Sequence, residues 1–212
     1  MEAIFPLTYL GPVSIFANLL QYDKVLIEKK EHFIKQSYRN RCEIVGASGK
    51  LSLSIPTFRK GRDKRIIDEV GICNDESWKT VHWRSICTAY RSSPYFEYYE
   101  ADFEGLFLQE STNLFEFNLA LFELILKKLK MEVQFSFTSE FILNYEIDDY
   151  RPFYARNSEE QLVFPRYIQV FEERVGFQPN LSVLDLLFNE GPASKDYLLK
   201  VLAQNGKLKD AN

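Results

Sequence analysis

The two histidines of this chain, His32 and His82, carry the only side chains whose ordinary pKa lies near neutrality. An imidazole can take a proton from an amine or a hydroxyl, so both are candidate general bases. Trp78, His82, Ile86 and Tyr90 recur every four residues, which puts Trp78, His82 and Tyr90 on one face of a helix. The competing account of His82 is a core histidine hydrogen-bonded between rings. His32 follows Glu31 directly and is the alternative base. Lys35, Arg39 and Arg41 crowd a short polar segment together with Asn40. An arginine fork there can grip a carboxylate or phosphate, with Asn40 orienting a neighbour; the plain alternative is a solvated loop with salt bridges. Asn118 interrupts an apolar and charged helical run in which asparagine is a poor helix former. If buried it needs partners, from substrate or from a loop it ties down. Gln169 and Asp185 complete the polar candidates.

These residues need a frame. Ala3 to Pro6 reads as a strand closed by proline, Val13 to Tyr22 as a helix with Val13, Phe16, Ala17 and Leu20 on one face, and Lys24 to Glu28 as a buried strand. Strand, loop, helix, strand is a β-α-β unit, which implies a parallel sheet. Tyr9, between Pro6 and Pro12, then falls beyond the C-terminal end of the first strand, where ligands of open α/β sheets gather. The helix that follows offers its N-terminus to an anion. Cys42 to Val45 and Leu51 to Ile55 flank a Gly-Ala-Ser-Gly turn and form a hairpin, and Ile66 to Ile72 is a further strand candidate. Residues 77–130 are helical, with Ser77 as a cap, a break at Pro94 and the clearest periodicity from Asn113 to Lys130. Gln134 to Thr138 alternates like a strand, Asp148 to Pro165 reads as a loop, Arg166 to Glu172 as strand or helix, and two helices follow from Leu181 and Ser194. The expected architecture is α/β: one domain over 1–212, with a mixed, largely parallel sheet beginning with a β-α-β unit and a helical portion in the middle of the chain.

Composition removes several classes. A net charge of −4 with no long basic run gives no reason to expect a nucleic-acid partner. The basic residues from Arg59 to Arg65 read as a solvated loop. Three cysteines without CxxC spacing, and two distant histidines, give neither a disulfide framework nor a zinc site. There is no apolar run long enough for a membrane helix and no signal-peptide pattern, so a cytoplasmic location is expected. Glycine-rich dinucleotide, Walker and nucleophile-elbow motifs are absent. No cofactor is named by the sequence. The oligomeric state is open.

Several blocks, taken in order, resemble the WbqC-like family. They are Pro6-x-x-Tyr9-Leu10-Gly11-Pro12, Lys35 to Arg41, Trp78-x-x-x-His82 through Ser93-Pro94-Tyr95-Phe96, Phe117-Asn118, and Tyr167-x-Gln169 followed by Asn180 to Pro192. Many members carry two acidic residues and a glutamine after the second strand; here Glu28-Lys29-Lys30-Glu31-His32 stands there, which puts a paired-carboxylate site in question. The resemblance implies a role in surface-polysaccharide (O-antigen type) biosynthesis, with transfer of glycine or another acyl group to a sugar as the activity proposed for the family. The substrate would be a small molecule, a nucleotide- or lipid-linked sugar. On this reading His82 or His32 is the base. Tyr9, Lys35, Arg39, Asn40, Arg41, Tyr90, Asn118, Gln169 and Asp185 contact substrate. The alternatives are a non-catalytic sugar-nucleotide- or partner-binding protein and a nucleotidylyltransferase-like enzyme.

Overall fold

The structure is a computed structural model that describes residues 1–58, 65–75, 77–155 and 162–207. Its centre is a parallel sheet of β1 (Glu2–Pro6), β2 (Lys24–Glu28), β5 (Gln134–Phe137) and β6 (Asp148–Asp149), in the order β5-β2-β1-β6. Strand β1 is apolar and buried from Ala3 on, as a central parallel strand covered on both faces must be. Pro6 is tolerated at its last position, where it pairs with Glu28 of β2. The crossover from β1 to β2 runs through α1 (Val13–Leu19), every residue of which is buried.

Strands β3 (Arg41–Gly46) and β4 (Gly49–Ser54) form a separate antiparallel hairpin. Gly49 supplies the positive φ that its tight turn requires. The middle of the chain is helical: α2 (Trp78–Tyr90), α3 (Phe96–Leu108) and α4 (Leu114–Lys128). Asn113 caps α4, its side-chain oxygen accepting from the Glu116 amide while its amide group donates to the Asp68 carbonyl. The chain closes with α5 (Glu172–Val175), α6 (Val183–Glu190), capped by Ser182, and α7 (Ser194–Gln204), which packs against α1.

Four local expectations are corrected. Residues 66–72 are not a strand but a 3-10 turn at Ile67–Glu69. Ile67, Val70 and Ile72 are all buried, and the three-residue step from Ile67 to Val70 is one 3-10 turn rather than an alternation. Ser77 makes no side-chain cap on α2. The loop expected from Asp148 contains β6, because two aspartates hide a strand whose backbone pairs with Ala3 and Ile4. Residues 166–171 are neither strand nor helix; the helical turn starts at Glu172. The basic stretch from Arg59 lies outside the described residues except for Arg65, whose guanidinium stacks on Phe33.

Gly191 ends α6 at φ +51, and a Cβ there would lie 2.4 Å from the Tyr95 ring. Gly191→Ala is expected to cost about 3 kcal/mol, combining left-handed strain with overpacking. A lower denaturant midpoint at unchanged m-value would show it.

Candidate functional site

Beyond the C-terminal end of β1 the chain enters the segment that carries Tyr9. Leu10 sits there at φ +44, a left-handed conformation that costs a branched apolar residue energy and persists only where surroundings impose it. What imposes it is burial and pairing: Thr8 to Gly11 are all buried, the Tyr9 amide donates to the Tyr38 carbonyl at 2.8 Å, and the Gly11 carbonyl accepts from the Val183 amide. Tyr9 precedes this strained residue and its side chain is buried. Its hydroxyl lies 2.8 Å from Nδ1 of His82, which reaches it from α2, 73 residues later. Trp78 stands edge-on to the imidazole, and Phe117 of α4 contacts both Trp78 and Tyr9.

Burial lowers the His82 pKa to about 4, so the ring is neutral at pH 7. The Tyr9 phenol is pushed up by the same loss of solvent. Of the two tautomers, one has Tyr9 donating to Nδ1 and leaves an N–H at Nε2; the other leaves a lone pair there. Among the described residues, Nε2 makes no hydrogen bond.

The depressed pKa fixes the sign of one pH effect. The folded state resists protonation at His82 while the unfolded chain titrates near 6.5, so this contribution is full above pH 6.5 and is lost as pH falls towards 4. The difference is on the order of 3 kcal/mol. His82→Asn, which keeps a polar partner for Tyr9, is expected to remove that part of the acid destabilisation, read from denaturant midpoints between pH 7 and 4.

Asn118 follows Phe117 on α4. Its side-chain amide donates to the Arg39 carbonyl at 2.7 Å, and its buried oxygen has no hydrogen-bond partner among the described residues. Asn40 is alike: it donates to the Ile55 carbonyl, and its own oxygen has no partner among the described residues. The expected cluster of Lys35, Arg39 and Arg41 is not one patch. Lys35 is exposed, and Arg41 opens β3 and donates to the Ser54 hydroxyl across the hairpin. Arg39 is sealed inside, forked on Glu31 at 2.9 and 2.8 Å and donating to the Tyr154 and Arg151 carbonyls. Four of the five donors of this guanidinium are engaged inside the protein, and the side chain is fully buried.

The helix N-terminus expected to attract an anion is also occupied. The first amides of α1 go to the Leu181 carbonyl and to the side-chain oxygen of Asn180. His32 is exposed, bridged by its backbone to Ile66, and stands apart from the His82 group.

Tyr90, Asp185 and Gln169 form a second buried group. Asp185 accepts from the Tyr167 hydroxyl at 2.6 Å and from Gln169 at 2.9 Å, and the Tyr90 hydroxyl faces the same carboxyl. Burial raises the Asp185 pKa to about 6 against those hydrogen bonds. Gln169 also exchanges two bonds with the Gln178 backbone, so this group fastens the 165–178 segment to α6.

Sequence reasoning missed the most polar place on the sheet. At its C-terminal edge Glu28 is fully buried. It accepts from the Thr138 hydroxyl at 2.6 Å, the Lys30 amide at 2.7 Å and the Arg151 guanidinium at 2.7 Å. Arg151 is also forked on Asp149. Glu28 and Glu31 are therefore both buried and arginine-paired, to Arg151 and Arg39. The missed signal was that Glu28 ends the second strand of the β-α-β unit, which puts a polar group where parallel sheets place ligands. Among the described residues no cluster of His, Cys, Asp and Glu could hold a metal ion, and no helix is long and apolar enough to cross a membrane.

The model of the WbqC-like protein family matches residues 8–151, more than half of the chain. The chain belongs to the WbqC-like family. The matched span holds the Tyr9–His82 pair, Asn118 and the Glu28–Arg151 edge; Gln169 and Asp185 lie beyond it. The chain is also 26% identical to the uncharacterized protein Rv1507c of Mycobacterium tuberculosis, over 92% of this chain and 96% of that protein. No solved structure matches.

Proposed function

We propose that this WbqC-like protein is a transferase that modifies a nucleotide- or lipid-linked sugar of a surface polysaccharide, with glycine or another acyl group as the cargo. The observation that carries the reading is the Tyr9–His82 hydrogen bond, held by a strained loop at the C-terminal end of a central parallel strand. In the transfer, the acceptor's amine or hydroxyl attacks the activated acyl carbon. A bond forms from that nitrogen or oxygen to carbon, the bond to the donor's leaving group breaks, and the acceptor's proton passes to Nε2 of His82. Tyr9 fixes the ring and steadies the charge it acquires. Asn118, whose buried oxygen has no partner among the described residues, suits an N–H or O–H of the acceptor. Arg39, tied to Glu31, takes a positioning role in place of a grip on the ligand.

One observation favours the second reading, a non-catalytic sugar-nucleotide-binding protein. A buried imidazole with its pKa near 4 is a weak base at neutral pH. Native mass spectrometry against sugar nucleotides, aminoacyl donors and nucleoside triphosphates separates the two. A transferase retains both a donor and an acceptor, and the pair yields acylated sugar. A binding module retains a sugar nucleotide and yields no product. Retention of nothing from the panel contradicts both.

A further inference from the structure

Strands β3 and β4 make a sheet of two, and its two outer edges differ. The Ile55 amide donates to the Asn40 carbonyl at 2.8 Å, one pair beyond the Arg41–Ser54 end of the ladder. Bonded and non-bonded pairs alternate along an antiparallel ladder. Leu53, Leu51 and Gly49 therefore turn their backbone groups towards β3, while Lys50, Ser52 and Ser54 turn theirs away. The outer edge of β3 is covered: the Glu43 carbonyl accepts from the Ser182 amide at 2.7 Å, and the Arg41 amide donates to the Ser37 carbonyl at 3.0 Å. The outer edge of β4 is open. Among the described residues, the backbone groups of Lys50, Ser52 and Ser54 meet no partner, and all three residues are exposed. Sheets guard such an edge with proline, bulges or charges, because unpaired strand groups template another strand. β4 has neither proline nor bulge, and Lys50 near its start is its one charge.

We propose that the chain self-associates through β4, two copies forming one antiparallel four-stranded sheet in the order β3-β4-β4-β3 about a two-fold axis at Ser52. The edge is its own complement in that register. The outward groups meet in bonded pairs, Ser52 with Ser52 and Lys50 with Ser54. No charge directly faces a like charge, and Lys50 is already paired with Glu43 at 3.5 Å in its own copy. Leu51, which is 43% exposed, comes opposite Leu53 of the second copy and exchanges water for an apolar neighbour. The closed two-fold contact uses up both open edges, so association stops at two copies.

Light scattering on the full chain over a series of concentrations tests this, and the mass is expected to rise to twice that of the monomer. Ser52→Pro removes an outward N–H that β3 does not use, and Ser52→Lys sets two ammonium groups face to face across the axis. Each is expected to raise the dissociation constant at least about tenfold, with circular dichroism unchanged. The register has its own test. Ser52→Cys places two thiols across the axis with Cα atoms about 5.5 Å apart, within reach of a disulfide. Oxidised glutathione is expected to link that variant into a covalent dimer that dithiothreitol reverses. The wild-type chain, with Cys73 and Cys87, controls for its own thiols. Lys50→Cys, which faces Ser54 of the second copy, is expected to stay unlinked. A monomeric mass at every concentration overturns the proposal. So does a dimer that Ser52→Pro and Ser52→Lys leave intact, or one that Lys50→Cys links as readily as Ser52→Cys.

Discussion

Replacing Arg39 by methionine is expected to destabilise the chain by about 3–5 kcal/mol, the usual cost of orphaning one partner of a buried ion pair. Arg39 is fully buried and its guanidinium binds both oxygens of Glu31 and the carbonyls of Arg151 and Tyr154. Methionine fills much of the volume but leaves a buried carboxylate without its arginine and takes a donor from each of two carbonyls. A compensating change at Glu31 should then recover much of the loss: Arg39→Met with Glu31→Leu removes both charges, and buried pairs exchanged for apolar residues are often near neutral. Urea titrations of the two variants against wild type measure both numbers. A loss below about 1 kcal/mol for the single change would mean that Arg39 is solvated, as an arginine in a ligand-gripping loop would be.

The second large effect is on function. His82→Asn keeps a hydrogen-bonding partner for Tyr9 but removes the nitrogen that faces away from it. Turnover by the donor and acceptor pair retained in the panel is expected to fall about 10²- to 10⁴-fold, the range for loss of a general base. Tyr9→Phe keeps the ring packing against Phe117 and deletes the bond to His82, and a smaller fall is expected because the base survives without its orienting partner. If both variants bind ligand normally and turn it over at the wild-type rate, the pair belongs to the core and not to the chemistry.

The sequence was most informative where a local period met a local boundary. The β-α-β opening follows from an apolar run ended by Pro6, a helical face and a second apolar run, and Trp78, His82 and Tyr90 share one buried face as their spacing implies. Charge was harder to read. Lys35, Arg39 and Arg41 are alike as letters, but one side chain is exposed, one runs along a hairpin and one is sealed against Glu31. Which way a residue faces in an irregular segment is decided by partners far along the chain, here Arg151 and Tyr154, more than a hundred positions away. For the same reason β6 was hidden. Its two aspartates have no strand propensity, and its pairing is supplied by β1 and by Arg151. Tyr9 and His82 were each legible as candidates; their contact was not, since 73 residues separate them and nothing local encodes it.

The titration of His82 followed by its ring ¹⁵N shifts bears most directly on the site. The expected result is an uncharged ring from pH 8 down to about 5, with protonation near 4, and a change at Nε2, with Nδ1 still bonded to Tyr9, when the ligand retained by the panel is added. Protonation near the ordinary 6.5, or ring signals that ignore a ligand shown to bind, would place His82 outside the site and contradict the account.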